Sequence, residues 1–162
     1  MKYICSLITV ENMNNSKLFY KDVMKQKIKY DFGENVLFKD GFAIHLKSHY
    51  SKLIGHRPII TPGNNFELYF EFDDVDSFVK ELKNNKIEFV HDIKEQPWRQ
   101  KVVRFYDPDK NIIEVGESLE FLSYRLSKEG NSIEKISKII GLPIDFISKS
   151  IKKMENLNWS LW

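Results

Sequence analysis

The chain has 162 residues, 42% hydrophobic and 14% aromatic, which is enough for one ordinary domain with its own core and an appendage. Its formal net charge of +2 is too small to favour nucleic acid or an anionic membrane, and no run approaches the roughly 18 apolar residues of a membrane span. The single cysteine, Cys5, excludes an intrachain disulfide. Because the first residues also show no signal-peptide pattern, we expect a cytoplasmic protein.

The first half of the chain predicts one strand, one helix and three further strands. Apolar residues alternate, or recur at helical spacing, within residues 3–10, 14–24, 28–30, 36–39 and 42–47. Asp40-Gly41 favours a hairpin turn between the last two strands.

The second half repeats this order after a linker rich in Pro, Gly and Asn at Arg57–Asn65. A strand is predicted at 66–72, a helix capped by Asp73-Asp74, a short strand at 87–90 and a closing hairpin at 102–106 and 112–115. The sequence therefore predicts an α+β fold of two βαβββ modules, residues 1–57 and 65–117.

Residues 118–162 predict a helical extension. Helical spacing covers 118–128, 132–140 and 143–154, and Gly141-Leu142-Pro143 separates the last two helices. The pattern resembles a helix-turn-helix, with a core of Ile136, Ile140, Leu142, Ile147 and Ile151. Ile133 and Ile144 extend the two apolar stripes, and Trp159 and Trp162 make the chain end apolar. Short helices need a surface to dock on, so we expect the extension to pack on its own cleft-bearing domain or on a partner subunit and to serve assembly, as in a homodimer, more than DNA binding.

The closing hairpin carries the most informative stretch, R104-F-Y-D-P-D-K-N-I-I-E-V115. By itself, Glu114 in an apolar strand is either solvated or a site residue. The stretch resembles the closing hairpin of the glyoxalase / bleomycin-resistance / extradiol-dioxygenase superfamily, the vicinal oxygen chelate proteins, whose pattern is close to F-x-D-P-D-G-x-x-[IL]-E-[LVF]. Lys110 replaces the Gly and calls for a left-handed conformation. The resemblance covers about residues 1–117 and implies two modules whose mixed sheet curls around one shared cleft.

The resemblance also implies a set of metal ligands. Four positions would face the cleft: Cys5, His45, Glu67 and Glu114. They match neither the His, Glu, His, Glu order of glyoxalases nor the His, His, Glu set of the dioxygenases. One imidazole and two carboxylates would suit Mn, Fe, Ni or Zn, and a Cys5 thiolate would favour Zn. Alternatively, Cys5 is a small packed hydrophobe, and His45 and Glu67 face solvent.

Four further residues are candidates for binding a small-molecule ligand. Trp98, in a loop at 94–100, would cover the cleft, and Arg104 would bind an anionic group or lie along the surface. Tyr69 shares the polar face of its strand with Glu67, and His91 would line the mouth. His49 and His56 are predicted to be solvated loop residues.

Three functions remain open. The first is a metal-dependent lyase or isomerase of the lactoylglutathione-lyase kind, in which Glu67 or Glu114 moves a proton. The second is a metal-free protein that sequesters a drug or another small molecule, as in bleomycin resistance. The third is a ligand-sensing regulator that binds DNA through the extension, which carries a charge of only +2.

Overall fold

The protein is described from a computed structural model that covers residues 1–159, with side chains as far as Leu157. Its first half contains β1 (Ser6–Val10), α1 (Met13–Leu18), β2 (Ile28–Asp31), β3 (Asn35–Phe38), β4 (Phe42–Leu46) and α2 (Lys47–Leu53). Its second half contains β5 (Glu67–Glu71), α3 (Val75–Asn84), β6 (Phe89–Glu95), β7 (Lys101–Tyr106) and β8 (Ile112–Gly116). The extension contains α4 (Leu119–Lys128), α5 (Ile133–Ile140) and α6 (Ile144–Trp159). Ser160, Leu161 and Trp162, part of the apolar chain end, lie outside the described residues.

Two four-stranded sheets repeat one strand order. The first runs β1-β4-β3-β2 and the second β5-β8-β7-β6, so the first strand of each module pairs with its last. In the first sheet β1 is parallel to β4, with Thr9 opposite His45, while β3 is antiparallel to β2 and β4. This confirms the α+β fold of two βαβββ modules with a helical extension.

The chain divides into two compact units, each described here by itself. The first comprises Met1–Leu68 with Phe105–Ile113, and the second comprises Tyr69–Arg104 with the described residues from Glu114 onward. The helical extension thus belongs to the second unit. Its assignment as a separate domain beginning at residue 118 stays a prediction.

The first unit has an aromatic core around Tyr20. Helix α1 continues into a π-helical turn, Phe19–Val23, in which the Met24 amide donates to the Phe19 carbonyl at 3.1 Å. This turn places the Tyr20 ring 5.6 Å from that of Phe38 and 5.1 Å from that of Phe42, centroid to centroid. All three rings are buried, which anchors the turn to β3 and β4.

The D-P-D motif of the closing hairpin is a structural element of this unit. The buried Asp107 carboxylate accepts hydrogen bonds from the Tyr20 hydroxyl at 2.8 Å, from the Asn111 side chain at 2.9 Å and from the amides of Asp109 and Asn111. Burial raises the pKa of Asp107, and these hydrogen bonds partly offset the rise. Asp109 accepts from Ser16 on α1 and from the Glu11 amide, so the turn is tied to the first helix.

Local predictions at the hairpin and in the extension are confirmed. Lys110 has φ of 66°, the left-handed conformation that the missing Gly implied. Leu122, Leu126, Ile136 and Ile147 form a fully buried core, against which Ile133, Ile140, Leu142 and Ile151 pack. Ile144 was predicted to join them, but as the first residue of α6 it lies outside this core and is 51% exposed. No helix within residues 1–159 is long and apolar enough to cross a membrane.

Two local predictions were wrong. His49 was predicted to lie in a loop, but Lys47–Leu53 forms helix α2, none of whose residues is buried. The strand predicted at 87–90 lies at Phe89–Glu95, where it forms the edge of its sheet. Edge strands commonly carry charged residues, so the apolar pattern that marks a central strand is absent there.

Candidate functional site

Glu114 and Arg104 lie on the adjacent strands β8 and β7 of the second unit. Glu114 is only 8% exposed, and its carboxylate oxygen Oε2 contacts the Arg104 guanidinium Nη2. A carboxylate is rarely buried unless it is paired, and Arg104 supplies the pairing charge. The acidic residue that the family motif singled out is therefore neutralised within its own sheet.

His91 extends this row onto the neighbouring strand β6. Its Nδ1 lies 2.8 Å from the Asp92 carbonyl oxygen, and its Nε2 lies 3.3 Å from Arg104 Nη1. Since a carbonyl only accepts and a guanidinium only donates, Nδ1 carries the proton and Nε2 accepts. Glu114, Arg104 and His91 thus form a polar row across three strands.

A second polar cluster surrounds Gln100 on the same unit. The Gln100 Oε1 accepts from the Trp98 indole at 2.8 Å, and its Nε2 donates to the Tyr69 hydroxyl at 3.0 Å and to the Glu117 carbonyl at 2.6 Å. Burial raises the pKa of the Tyr69 hydroxyl, which keeps it neutral near pH 7. Tyr69 in turn donates to Glu71.

Gly116 shows that the row and the cluster share one face of the sheet. A Cβ at Gly116 would lie 3.1 Å from the Val102 side chain, 3.2 Å from Gln100 Nε2 and 3.4 Å from the Tyr69 ring. Alternate residues of a strand point to the same side, so Glu114 shares this side with Gly116, and Arg104 shares it with Val102. We call this surface the polar face; it comprises Tyr69, His91, Trp98, Gln100, Arg104, Glu114 and Gly116.

The polar face brings together all four residues predicted to bind ligand: Tyr69, His91, Trp98 and Arg104. Trp98 and Tyr69 keep 41% and 45% of their surface exposed, so both present an aromatic surface to solvent. Their roles in binding stay predictions. Gln100 was missed, although its spacing of two and four residues from Val102 and Arg104 places it on their side of the strand.

The other predicted metal ligands lie in the first unit. Cys5 is half-buried immediately before β1, and Glu67 is exposed at the start of β5. His45 is 6% exposed, so it is not the solvated residue that the alternative interpretation described. The predicted pairing of Glu67 with Glu114 stays a prediction.

His45 belongs to a chain of hydrogen bonds that ends at the surface. Its Nδ1 lies 2.9 Å from the Asn35 amide Nδ2, its Nε2 lies 2.8 Å from His49 Nδ1, and His49 Nε2 lies 3.3 Å from Glu34 Oε2. The Asn35 amide donates, so His45 donates from Nε2 and His49 donates to Glu34. Burial, followed by the neighbouring His49, lowers the pKa of His45. His49 was predicted to lie in a solvated loop, but α2 turns it towards His45.

In the described part of the chain, neither unit by itself groups donors that fit a divalent metal ion. Within residues 1–159, no three His, Cys, Asp or Glu side chains are grouped closely enough to hold one. Both ring nitrogens of His45 form hydrogen bonds within the protein, and the Glu114 carboxylate is paired with the Arg104 guanidinium. A metal site using Zn, Ni, Mn or Fe would require these contacts to break first.

The first unit also contains a pocket of about 190 Å³ between β1 and the segment that precedes β5. Its polar lining includes Thr9, Tyr50, Asn65 and Asn111. Sites for drug-sized ligands typically measure about 300–1,000 Å³. This pocket is therefore too small for such a molecule, whereas a pocket of about 410 Å³ beside α1 and one of about 340 Å³ at residues 64–67 fall within that range.

Comparison with known proteins identifies the family. The family model of the glyoxalase-like domain matches residues 3–120. The chain belongs to this family. The resemblance to the vicinal oxygen chelate superfamily, seen first in the closing hairpin, is thereby confirmed, and most of the helical extension lies beyond the matched residues.

Solved structures agree with this assignment. A protein of unknown function from Agrobacterium tumefaciens is 40% identical, with a TM-score of 0.67 over 73% of this chain and 94% of that one. Two more distant structures share the fold: a lactoylglutathione lyase from Agrobacterium tumefaciens (21% identity, TM-score 0.56, 72% and 93% covered) and a fosfomycin resistance protein from Listeria monocytogenes (14%, 0.57, 73% and 93%). No curated protein matches the chain.

Proposed function

We propose that this glyoxalase-like protein binds a small organic molecule on the polar face without a metal ion. The contact between Arg104 and Glu114 carries the proposal, because it places a guanidinium against the glutamate that binds metal in the family motif. A guanidinium cannot be deprotonated near neutral pH and can donate several hydrogen bonds in one plane. It can therefore hold an oxygen atom of a ligand directly.

The residues of the polar face indicate the chemistry of the ligand. Arg104 keeps 29% of its side chain exposed, so an oxygen acceptor can approach its guanidinium from solvent. Trp98 and Tyr69 offer exposed aromatic rings, on which flat apolar groups stack. Gln100, which immediately precedes β7, and Arg104 are about 13 Å apart along the extended chain, from a rise of about 3.3 Å per residue. We therefore propose a flat organic molecule of drug size with an oxygen acceptor at one end.

The second candidate is the metal-dependent lyase or isomerase expected from the family, with Glu67 or Glu114 moving the proton. The family match favours it, whereas the grouping of donors does not. The two proposals differ in metal content, in the role of Arg104 and in turnover.

Metal analysis and fluorescence titration distinguish them. Purified protein would be incubated with Zn, Ni, Mn or Fe(II) and desalted, and then titrated with bleomycin, fosfomycin and lactoylglutathione. We expect less than one-tenth of an equivalent of metal, together with a Trp98 response that is lost in Trp98→Phe and weakened at least tenfold in Arg104→Met. Trp159→Phe is the control and keeps the response. One metal per chain, lost in His45→Ala or Glu114→Ala, would instead support the lyase.

A further inference from the structure

The helical extension is joined to the end of the second sheet through Arg125 on α4. Arg125 Nε and Nη2 each lie 2.9 Å from an oxygen of the Glu117 carboxylate, a bidentate ion pair. Glu117 is only 2% exposed and also accepts the Lys101 amide at 3.0 Å. The extension is therefore joined to the start of β7 by a buried charge pair.

Arg125 also holds the loop that carries Trp98. Its Nη2 donates to the Arg99 carbonyl at 2.6 Å, and its Nη1 donates to Glu129 at 2.7 Å. The Arg99 side chain returns to the extension, with its Nη2 3.2 Å from Glu129. Three consecutive residues, Arg99, Gln100 and Lys101, thus each bond to Glu117, Arg125 or Glu129.

The loop needs such support because its conformation is unfavourable. Arg99 has φ of 72°, a left-handed conformation that costs a non-glycine residue about 1–2 kcal/mol. Arg99 donates to the Gln96 carbonyl, and Gln96 donates to the Gln100 carbonyl, which makes a tight turn with Trp98 near its tip. Strained turns persist where surrounding contacts fix them.

Helix α4 is itself held in place, so it can serve as a fixed support. Ser118 caps its first turn and also donates to Asp73, which precedes α3. Leu122 and Leu126 of α4 pack in the fully buried core with α5 and α6. The three helices therefore present Arg125 at a defined position.

From these contacts we infer that α4 is a built-in positioning element for the loop Gln96–Gln100, with Arg125 as the positioning residue. The extension thereby sets where Trp98 and Gln100 stand on the polar face. That this controls ligand binding rests on the proposed function. The positioning itself is a property of the protein without ligand and can be measured independently.

The test uses the full chain with Trp159→Phe and Trp162→Phe, so that Trp98 is the only tryptophan. Acrylamide quenching of Trp98 and the melting temperature would be measured for Arg125→Met and for Arg125→Met with Glu117→Gln. The double variant removes the buried charge that the single variant leaves unpaired, so its melting temperature recovers most of the loss. It cannot restore the bond to the Arg99 carbonyl, so we expect the quenching constant of Trp98 to rise about twofold or more in both variants.

Two comparisons complete the test. Lys128→Met removes the Lys128–Glu155 pair and the contact of Lys128 with the Tyr124 ring, both within the extension, and should leave Trp98 quenching unchanged. Arg125→Lys keeps the charge but not the bidentate geometry and should behave like the double variant. Wild-type quenching in the double variant would overturn the inference, because Arg125 would then act only on stability. Failure of every ligand titration would overturn the proposed function and leave this result intact.

Discussion

The Arg104 guanidinium and the Glu114 carboxylate are in direct contact on adjacent strands. Replacing Arg104 by Met leaves a nearly buried carboxylate without its cation, and we expect the free energy of unfolding to fall by about 2 kcal/mol. The effect is smaller than for a fully buried pair because Arg104 is partly exposed. Combining Arg104→Met with Glu114→Gln should recover at least half of the loss. Urea unfolding of the two single variants and the double variant measures the coupling; additive losses would contradict the pairing.

The Tyr20 hydroxyl donates to the buried Asp107, and Tyr20→Phe should cost about 1–2 kcal/mol. The pKa of Asp107 is higher in the folded protein than in the unfolded chain, where it is about 3.9. Protonated Asp107 therefore stabilises the fold, and this contribution to the free energy of unfolding is lost as the pH rises from about 3.9 through the folded-state pKa. The hydrogen bond from Tyr20 lowers the pKa of Asp107 and so favours the ionised carboxylate. Tyr20→Phe should therefore reduce the free energy of unfolding more at pH 7 than at pH 3.5. Tyr30→Phe, at a half-exposed ring, is the control. Equal costs at both pH values would contradict the prediction.

His45 should make stability depend on pH. Its pKa is lowered in the folded protein, so the unfolded chain binds the proton first, and stability is lost as pH falls below about 6.5. Uptake of one proton by the unfolded chain changes the free energy of unfolding by at most about 1.4 kcal/mol per pH unit. His45→Gln should flatten the stability curve between pH 6.5 and 5, while His56→Asn, at an exposed residue, should not. Chemical denaturation at several pH values gives the curves, and an unchanged slope in His45→Gln would refute the assignment.

Lys110 should show backbone strain. Lys110→Gly and Lys110→Ala both remove the side chain and its contact with the Tyr106 ring, but only Gly relieves the left-handed conformation. The Gly variant should therefore be more stable than the Ala variant by about 1 kcal/mol. At Lys152, inside α6, the same pair of substitutions should show the opposite order by about 1 kcal/mol. Thermal melting of the four variants tests both statements, and the same order at both positions would contradict them.

The homodimer expected from the sequence remains a proposal, with α6 as the candidate contact. Truncation after residue 117 is a poor test, because it would leave Glu117 buried without Arg125. Ile144→Lys places a charge at an exposed apolar position of α6 and leaves the helical core intact. We expect the wild-type chain to sediment as a dimer and the variant as a monomer. A variant that remains dimeric would place the contact elsewhere.

The fold was predictable because apolar spacing and turn residues agree along most of the chain. The repeat of one strand, one helix and three strands follows from the sequence, and so does the cap at Asp74. Helix α2 was not predicted because none of its residues is buried. A helix without a buried apolar stripe does not show apolar residues at the 3.6-residue spacing that predicts a helix.

The candidate site was predictable only in part. Glu114, Arg104 and Trp98 stood out as unusual residues in or near apolar strands. That Arg104 neutralises Glu114 depends on which residues of β7 and β8 face each other, and a shift of one residue would have turned one of them to the opposite side. The bond from Arg125 to the Arg99 carbonyl joins residues 26 positions apart, and nothing in the local sequence signals it.

The ion pair between Glu117 and Arg125 has a consequence for the order in which the chain can fold. During synthesis, β5 to β8 are complete as soon as Gly116 has been added, but the cation that Glu117 requires comes eight residues later. Until α4 leaves the ribosome, closing the end of the second sheet would bury an unpaired carboxylate, which is strongly unfavourable. The second sheet should therefore remain open at this end until the first helix of the extension has emerged, and the two should close together as one cooperative unit.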